Sequence, residues 1–222
     1  MCSAVLMKIS ESSERRYDAG INLLTFGNER KIKSKIVSEF ISENDRIFEI
    51  GVGTGTLAIL CAEKGAHVTG IDISKKMLRI AERKIKEAGL AEKIELREMS
   101  VVETDKHVPN NSFDKVVSTF VFSELSEAEQ LFALRESYRV LKPNGKIIIL
   151  DEVKPRSFWK KTLYYLIRVP LELVTYLVAQ TTTKPLKDIE GKLSTAHFKV
   201  EFTSRYFLDS LQLIVASKEE TS

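Results

Sequence analysis

The residues best placed to do chemistry sit in two short stretches. Three glycines spaced two apart, Gly51, Gly53 and Gly55, close the apolar run Ile47-Phe48-Glu49-Ile50, and Asp72 stands 21 positions after the first of them. Glycine lets backbone come close to a ligand and takes left-handed angles that other residues resist. A helix opening directly after such a turn offers its N-terminal amides to that ligand. An acid at this spacing falls on the tip of the next strand, where it can accept hydrogen bonds from both hydroxyls of a ribose. Holding a nucleoside is the chemistry implied. Gly53-Thr54-Gly55-Thr56-Leu57-Ala58 also satisfies the dinucleotide pattern G-x-G-x-x-G/A, so the glycines alone leave the ligand open.

These residues need elements to position them. The run before the glycines is short and apolar, as a buried parallel strand is, and residues 56–63 can be helical up to Gly65. Residues 67–73 form a second strand, after which Ser74 caps a helix over 75–88 closed by Gly89. Strands follow at 93–99 and 113–122, the latter almost wholly apolar, with Pro109-Asn110-Asn111 as a turn before it. Ser123-Glu124-Leu125-Ser126-Glu127 opens a helix to about residue 141, and Lys142-Pro143-Asn144-Gly145-Lys146 turns into a strand over 147–153. A last helix at 186–196 precedes two strand-like runs, 198–206 and 211–216. The four residues between those runs suit an antiparallel hairpin. Upstream, 9–30 and 29–42 read as two helices, the second with Ile32, Ile36, Val37, Phe40 and Ile41 on one face.

Composition removes several function classes. A length of 222 residues suits one α/β domain with additions, and 43% hydrophobic with 29% charged residues is ordinary for a globular protein. Thirty-four basic against 31 acidic residues, with no basic stripe interleaved with aromatics, argues against nucleic acid. Cys2 and Cys61 do not pair naturally, which fits a reduced, cytoplasmic setting, and Cys61 lies at helical spacing from Leu57 and Leu60 as a buried apolar residue would. The longest apolar stretch, 171–179, contains Glu172 and falls short of the roughly 20 residues a membrane span needs, and no signal peptide is visible. His67, His107 and His197 are too scattered to suggest a metal site.

Five alternating β/α units ending in an antiparallel pair resemble the class I methyltransferases that use S-adenosylmethionine, not a dehydrogenase. Glu49-x-Gly51-x-Gly53-x-Gly55 matches that family's first motif, and Asp72-Ile73 its ribose acid and neighbour. Phe113-Asp114-x-Val116-Val117 and Leu141-Lys142-Pro143-Asn144-Gly145 match later motifs. The resemblance implies a Rossmann-like sheet of seven strands, mostly parallel, in the order 3-2-1-4-5-7-6. The cofactor carries no pyrophosphate, so an acid beside the glycine turn offsets an ammonium instead of repelling a phosphate. Arg16-Tyr17-Asp18 with Leu23-Leu24-Thr25-Phe26-Gly27 is similar to the entrance segment of the quinone-biosynthesis methyltransferases. Phe122-Ser123-Glu124-Leu125-Ser126, Asp151-Glu152-Val153-Lys154-Pro155 and Gln180-Thr181-Thr182-Thr183 are similar to the corrinoid protein-associated methyltransferases.

From the resemblance come the site expectations. Gly51, Gly53, Thr54 and Gly55 approach S-adenosylmethionine, Glu49 faces its amino acid part, and Asp72 with Ile73 holds the ribose. Met77, Met99 and Ser100 border the adenine, Ser118 and Phe120 lie beneath the methionine moiety, and Tyr17 lies over the cofactor. Two positions depart from the family. Met99 stands where an aspartate commonly reaches the adenine amino group, and Ser123-Glu124 stands where many relatives carry a histidine pair, which leaves Glu124 as the candidate acid or base. A glutamate at a helix start can equally be a cap or dipole complement.

The expected organisation is one domain over 1–222, with N-terminal helices 1–42 covering the cofactor and a helical cap or lid inserted at 156–185 that could also make a homodimer. The reaction expected is in-line methyl transfer to a small-molecule or protein-bound acceptor, with a corrinoid protein among the candidate partners. Two alternatives are a non-catalytic, cofactor-binding accessory to a corrinoid protein and an NAD-type oxidoreductase.

Overall fold

The computed structural model describes residues 29–157, 159 and 185–219. The expected helix carrying Tyr17 and nearly all of the 156–185 segment, with its lid and dimer readings, lie outside these residues. The first described helix, α1 (Glu29–Phe40), buries Ile32, Ile36 and Val37 on the face anticipated for it. Seven strands follow: β1 (Arg46–Ile50), β2 (His67–Asp72), β3 (Ile94–Glu98), β4 (Phe113–Thr119), β5 (Leu141–Glu152), β6 (Phe198–Tyr206) and β7 (Leu211–Lys218). Their order is β3-β2-β1-β4-β5-β7-β6. The first five run parallel, and β7 is antiparallel to both β5 and β6.

Helices cover both faces, as a parallel sheet requires. On one face α1, α2 (Thr56–Glu63) and α3 (Lys75–Glu87) pack Ile36, Leu57, Leu78 and Ile85 against Ile47, Ile148 and Val215. Cys61 is buried in this layer, in the apolar role anticipated for it. On the other face α5 (Glu127–Val140) and α6 (Ile189–Thr195) pack Leu134 and Leu193 against Phe48, Phe113 and Ile149. Each such side chain contributes about 1.5–3 kcal/mol when fully buried. A short helical turn, α4 (Thr104–His107), precedes β4 in the chain, and its Thr104 hydroxyl donates to Glu136 of α5 at 3.0 Å.

Besides end shifts of a few residues, as at the last helix (Ile189–Thr195), two boundaries differ from the expectation, and the first matters for function. β4 ends at Thr119, not at 122, because Phe120 takes a left-handed conformation (φ 62) and turns the chain off the sheet. Residues 122–124 then make one 3-10 turn, and the helix starts only at Glu127. Its cap is Ser126, whose hydroxyl accepts from Glu129 N while the Glu129 carboxylate accepts from Ser126 N. That capping box leaves Glu124 outside the helix, so the cap or dipole role open to it in the sequence belongs to other residues. The second difference is that β5 starts at Leu141 and runs through the expected turn. Phe113 pairs with Leu141 across a bulge, and Lys142 Nζ reaches Asp114 Oδ1 at 2.7 Å.

Candidate functional site

Parallel strands deliver their C-terminal ends to one edge of the sheet, and β2, β4 and β5 end there in the polar residues Asp72, Thr119 and Glu152. β1 leads into the glycine turn, where Gly51, Gly53 and Gly55 have φ of 72, 52 and 77. Gly51 N and Val52 N both donate to Ile71 O at 2.9 Å, which folds the turn back onto β2. No side chain could replace the hydrogen of Gly51, since an added Cβ would stand 2.2 Å from a methyl of Val121. The loop after β4 therefore presses directly on the turn.

Asp72 organises the neighbouring strand end. One carboxylate oxygen accepts from Gly53 N at 2.9 Å and the other from Ser74 N at 2.8 Å. Ser74 in turn caps α3, its hydroxyl accepting from Met77 N. Backbone N–H groups that donate to a carboxylate stabilise its charged form, yet burial outweighs them and leaves the Asp72 carboxyl above its ordinary value.

Glu49 is the most telling group. It sits one residue before the end of β1 and is 2% exposed, and no hydrogen bond reaches its carboxylate among the described residues. Burial pushes it up to about 8, with Lys33 pulling down and Asp72 pushing up. Two more carboxyls lie along the same edge. Burial raises Glu124 to about 8, and Asp151, Asp72 and Glu152 add to the rise. Asp151, at the end of β5 and 1% exposed, is raised to about 6 by burial despite hydrogen bonds from Ser123 and the Glu152 amide. An uncompensated buried carboxylate is costly, so this edge is built for a ligand that brings positive charge. A diphosphate would meet four or more acids at close quarters, which weighs against a dinucleotide.

The family model described as a methyltransferase domain matches residues 47–145, from the second residue of β1 into β5. Over this stretch the chain is similar to the methyltransferase domain. Among relatives, a demethylmenaquinone methyltransferase of Thermotoga maritima is 30% identical over 156 residues, 68% of this chain and 63% of that protein. A phosphatidylethanolamine N-methyltransferase of Cereibacter sphaeroides is 35% identical over 144 residues, 65% of this chain and 59% of the relative. The chain thus spans less than two thirds of the length of either. A solved S-adenosylmethionine-dependent methyltransferase of Aquifex aeolicus shares the fold at a TM-score of 0.64 and 19% identity, covering 89% of this chain and 97% of that one. So does the [4+2]-cyclase SpnF, at a TM-score of 0.67 and 18% identity over 85% of this chain and 81% of its own. The fold by itself does not fix the reaction.

The residues singled out from sequence divide into those at the cleft and those behind it. Glu49, the three glycines, Asp72 and Glu124 gather at the strand ends, with Ile73 exposed beside them. Thr54 is buried, its hydroxyl 3.4 Å from that of Thr56. Met77 and Met99 are buried, and Met99 N donates to Asp72 O at 3.1 Å, so both lie next to the Asp72 strand end. The Ser100 oxygen accepts from Val102 N, and Ser100 N donates to Glu103, which commits this serine to a 3-10 cap. Ser118 is 1% exposed and donates to Ile50 O at 3.3 Å, bracing β4 against β1 from within the sheet. Phe120 supplies the left-handed turn noted above. Sequence reasoning missed Val121 and Asp151 as parts of the site. The acid pair Asp151-Glu152 closing an apolar strand was the available signal for the second.

A separate groove of about 440 Å³ opens at the opposite edge, among Arg46, His67, Lys93, Glu95 and Phe113. It lies at the starts of the strands and contains none of these carboxylates.

The raised carboxyls make a stability prediction. Glu49 and Glu124 bind protons in the folded state up to about pH 8, whereas a free glutamate loses its proton near its ordinary value of 4.5. The folded protein holds the extra protons between those values, so its stability falls as pH rises through that window. Carboxyls with lowered values, Glu95, Asp114, Glu129 and Glu201, act only at lower pH. The midpoint of thermal unfolding of the ligand-free protein should drop from pH 6 to pH 8.5, and Glu49→Gln should flatten that drop. A midpoint that rises over this range would contradict the assignment.

Proposed function

We propose that this chain is an S-adenosylmethionine-dependent methyltransferase whose acceptor is a ring carbon of a quinol-type aromatic. The observation that carries the cofactor is Glu49, a buried carboxylate without a hydrogen-bond partner among the described residues, next to a glycine turn and within reach of Asp72. S-adenosylmethionine has an ammonium, a sulfonium and a ribose but no phosphate, and each group has a counterpart here. Bound S-adenosylmethionine supplies a methyl group already activated for in-line displacement.

The protein's own contribution is alignment and charge. The glycine turn admits the methionine end, Glu49 offsets its ammonium, Asp72 offers its remaining acceptor capacity to the ribose, and the buried Met77 and Met99 provide an apolar wall beside it. Fixing nucleophile, methyl and sulfur in line is worth several kcal/mol, on the order of 7–11 in the best-oriented systems. An NAD-type oxidoreductase is disfavoured by the same acids, which would face its diphosphate.

The acceptor class is supported by the names of the relatives, demethylmenaquinone and ubiquinone/menaquinone methyltransferases. An amine nitrogen is the second reading. The carboxyls of Glu124, Asp151 and Glu152 suit a cation, and one relative is a phosphatidylethanolamine N-methyltransferase. No helix of the described residues is long and apolar enough to cross a membrane, so a lipid acceptor would have to come to the cleft.

Turnover decides among these. The protein is incubated with methyl-labelled S-adenosylmethionine and, in separate arms, demethylmenaquinol, phosphatidylethanolamine and a reduced corrinoid protein, the last testing the partner suggested by the 122–126 and 151–155 strings. Label should enter the quinol. Label in the phosphatidylethanolamine arm alone would move the acceptor to nitrogen. Tight cofactor binding without transfer in any arm would favour the accessory role.

A further inference from the structure

Glu124 occupies the 3-10 turn between β4 and α5, and no hydrogen bond or ion pair engages its carboxyl among the described residues. The turn that carries it is fixed on every side. Ser123 N donates to Asp151 Oδ2 at 3.1 Å, and the other oxygen of Asp151 accepts from Glu152 N at 2.7 Å. Gln130 Nε2 donates to Phe122 O at 2.8 Å and Leu125 O at 3.0 Å, and Lys192 Nζ holds the Gln130 oxygen at 2.7 Å. Phe120 N donates to Leu150 O at 2.8 Å, and Val121 fills the hollow over Gly51. A residue in the left-handed region, a buried carboxylate and a buried glutamine converge on three residues, of which only Glu124 has its polar atoms unoccupied. Backbone strain of this kind persists where the surroundings over-determine it.

Three charged groups bear most strongly on Glu124, and all three are acids: Asp151, Asp72 and Glu152. In the empty cleft burial first, and these acids in addition, keep a proton on it at neutral pH. A ligand cation in the same cleft has the opposite effect, lowering the carboxyl's affinity for its proton. The group is thus a base only when a positively charged cofactor is in place.

We propose that Glu124 takes the acceptor's hydroxyl proton as the methyl group is transferred, and that Asp151 is the residue that positions it. This rests on the methyltransferase reading above. For a quinol, the hydroxyl proton passes to the Glu124 carboxylate while its electron pair moves into the ring. The ring carbon forms the bond to the methyl group, and the carbon–sulfur bond breaks with its pair left on sulfur. The hydrogen on that ring carbon then leaves as a proton to solvent water, its bonding pair restoring aromaticity, and the ring oxygen regains a proton from Glu124. The balance is one methyl gained, one proton released and no oxidant or reductant consumed. Asp151 acts through Glu124: its buried carboxylate sets the Ser123 amide and hence the turn, and its charge sets the proton affinity of its neighbour.

The experiment uses Glu124→Gln and Asp151→Asn in the full chain, with demethylmenaquinol as acceptor. General-base catalysis contributes about 10²–10⁴-fold, and Glu124→Gln should lower kcat by that factor, with KM for S-adenosylmethionine within threefold of the parent. The acid limb of the kcat–pH profile should vanish in Glu124→Gln. It should move to lower pH in Asp151→Asn, because removing a neighbouring negative charge eases ionisation of Glu124; a purely structural role for Asp151 would leave it in place. A second readout does not need turnover. Calorimetric titration with S-adenosylmethionine at pH 7.5, in phosphate and in Tris, counts protons released on binding. The parent should release protons, and Glu124→Gln should release fewer, Glu49 still contributing in both. Kcat within threefold of the parent, or unchanged proton release, overturns the assignment. An inactive parent overturns the acceptor reading instead, and the proton count still decides the role of Glu124.

Discussion

Gly51→Ala should lower the stability of this protein by about 2–5 kcal/mol and abolish cofactor binding. Two effects combine, a left-handed backbone at φ 72 and a methyl placed 2.2 Å from Val121 Cγ2. A side chain in the left-handed region costs roughly 1–2 kcal/mol, and overpacking a filled site costs about 1–3 kcal/mol more. For a domain of this size, the unfolding midpoint should fall by roughly 5–15 °C. The decisive measurement is a double-mutant cycle. Val121→Ala removes the methyl that would clash, leaving its Cβ at 3.4 Å, an ordinary contact. In the Gly51→Ala background it should recover the packing part of the loss and leave the backbone part. Strictly additive changes in the two variants would show that the β4 loop does not press on the glycine turn, and the link between cofactor turn and Glu124 loop would be lost with it.

How much of this was legible in the sequence depends on whether the cause was local. The glycine turn, the Ser74 cap of α3 and the hairpin between β6 and β7 were readable because each rests on residue types acting within a few positions. The strand order followed from recognising motifs as a set, since nothing in one strand's sequence names its neighbour. The end of β4 was misplaced because Phe120-Val121-Phe122 is as apolar as the strand before it. The left-handed turn at Phe120 is imposed by Leu150 on β5 and by the glycine turn, both distant in sequence. Glu124 was visible as a candidate, but on the wrong element. Once the capping box of Ser126 and Glu129 is seen, its helix-capping explanation disappears and its unoccupied carboxyl needs another. Asp151 could not be separated from an ordinary strand-end acid, because its burial and its bond to Ser123 exist only after β4 and β5 pair.

Asp72→Ala should weaken S-adenosylmethionine binding about 10- to 150-fold, the equivalent of roughly 1.5–3 kcal/mol for hydrogen bonds to a charged group. The structure adds a second consequence that a ribose contact alone would not produce. Both oxygens of Asp72 already accept from backbone, one from Gly53 in the glycine turn and one from Ser74 at the start of α3. Removing the carboxylate therefore leaves two amides without acceptors and loosens the turn even when no ligand is present. Ligand-free stability should fall along with affinity, by about 1.5–3 kcal/mol for each amide bond to the carboxylate that is lost. Asp72→Asn separates the two functions. Its oxygen can keep one of the amides, while its NH2 faces the other donor to donor. Asn should therefore recover part of the stability but little of the affinity, since ribose hydroxyls then meet no charged acceptor. Titration calorimetry with S-adenosylmethionine and thermal unfolding without it, on both variants, read the two effects apart. Affinity unchanged in Asp72→Ala would remove this residue from the ligand site and leave it as the strut between β2, the glycine turn and α3.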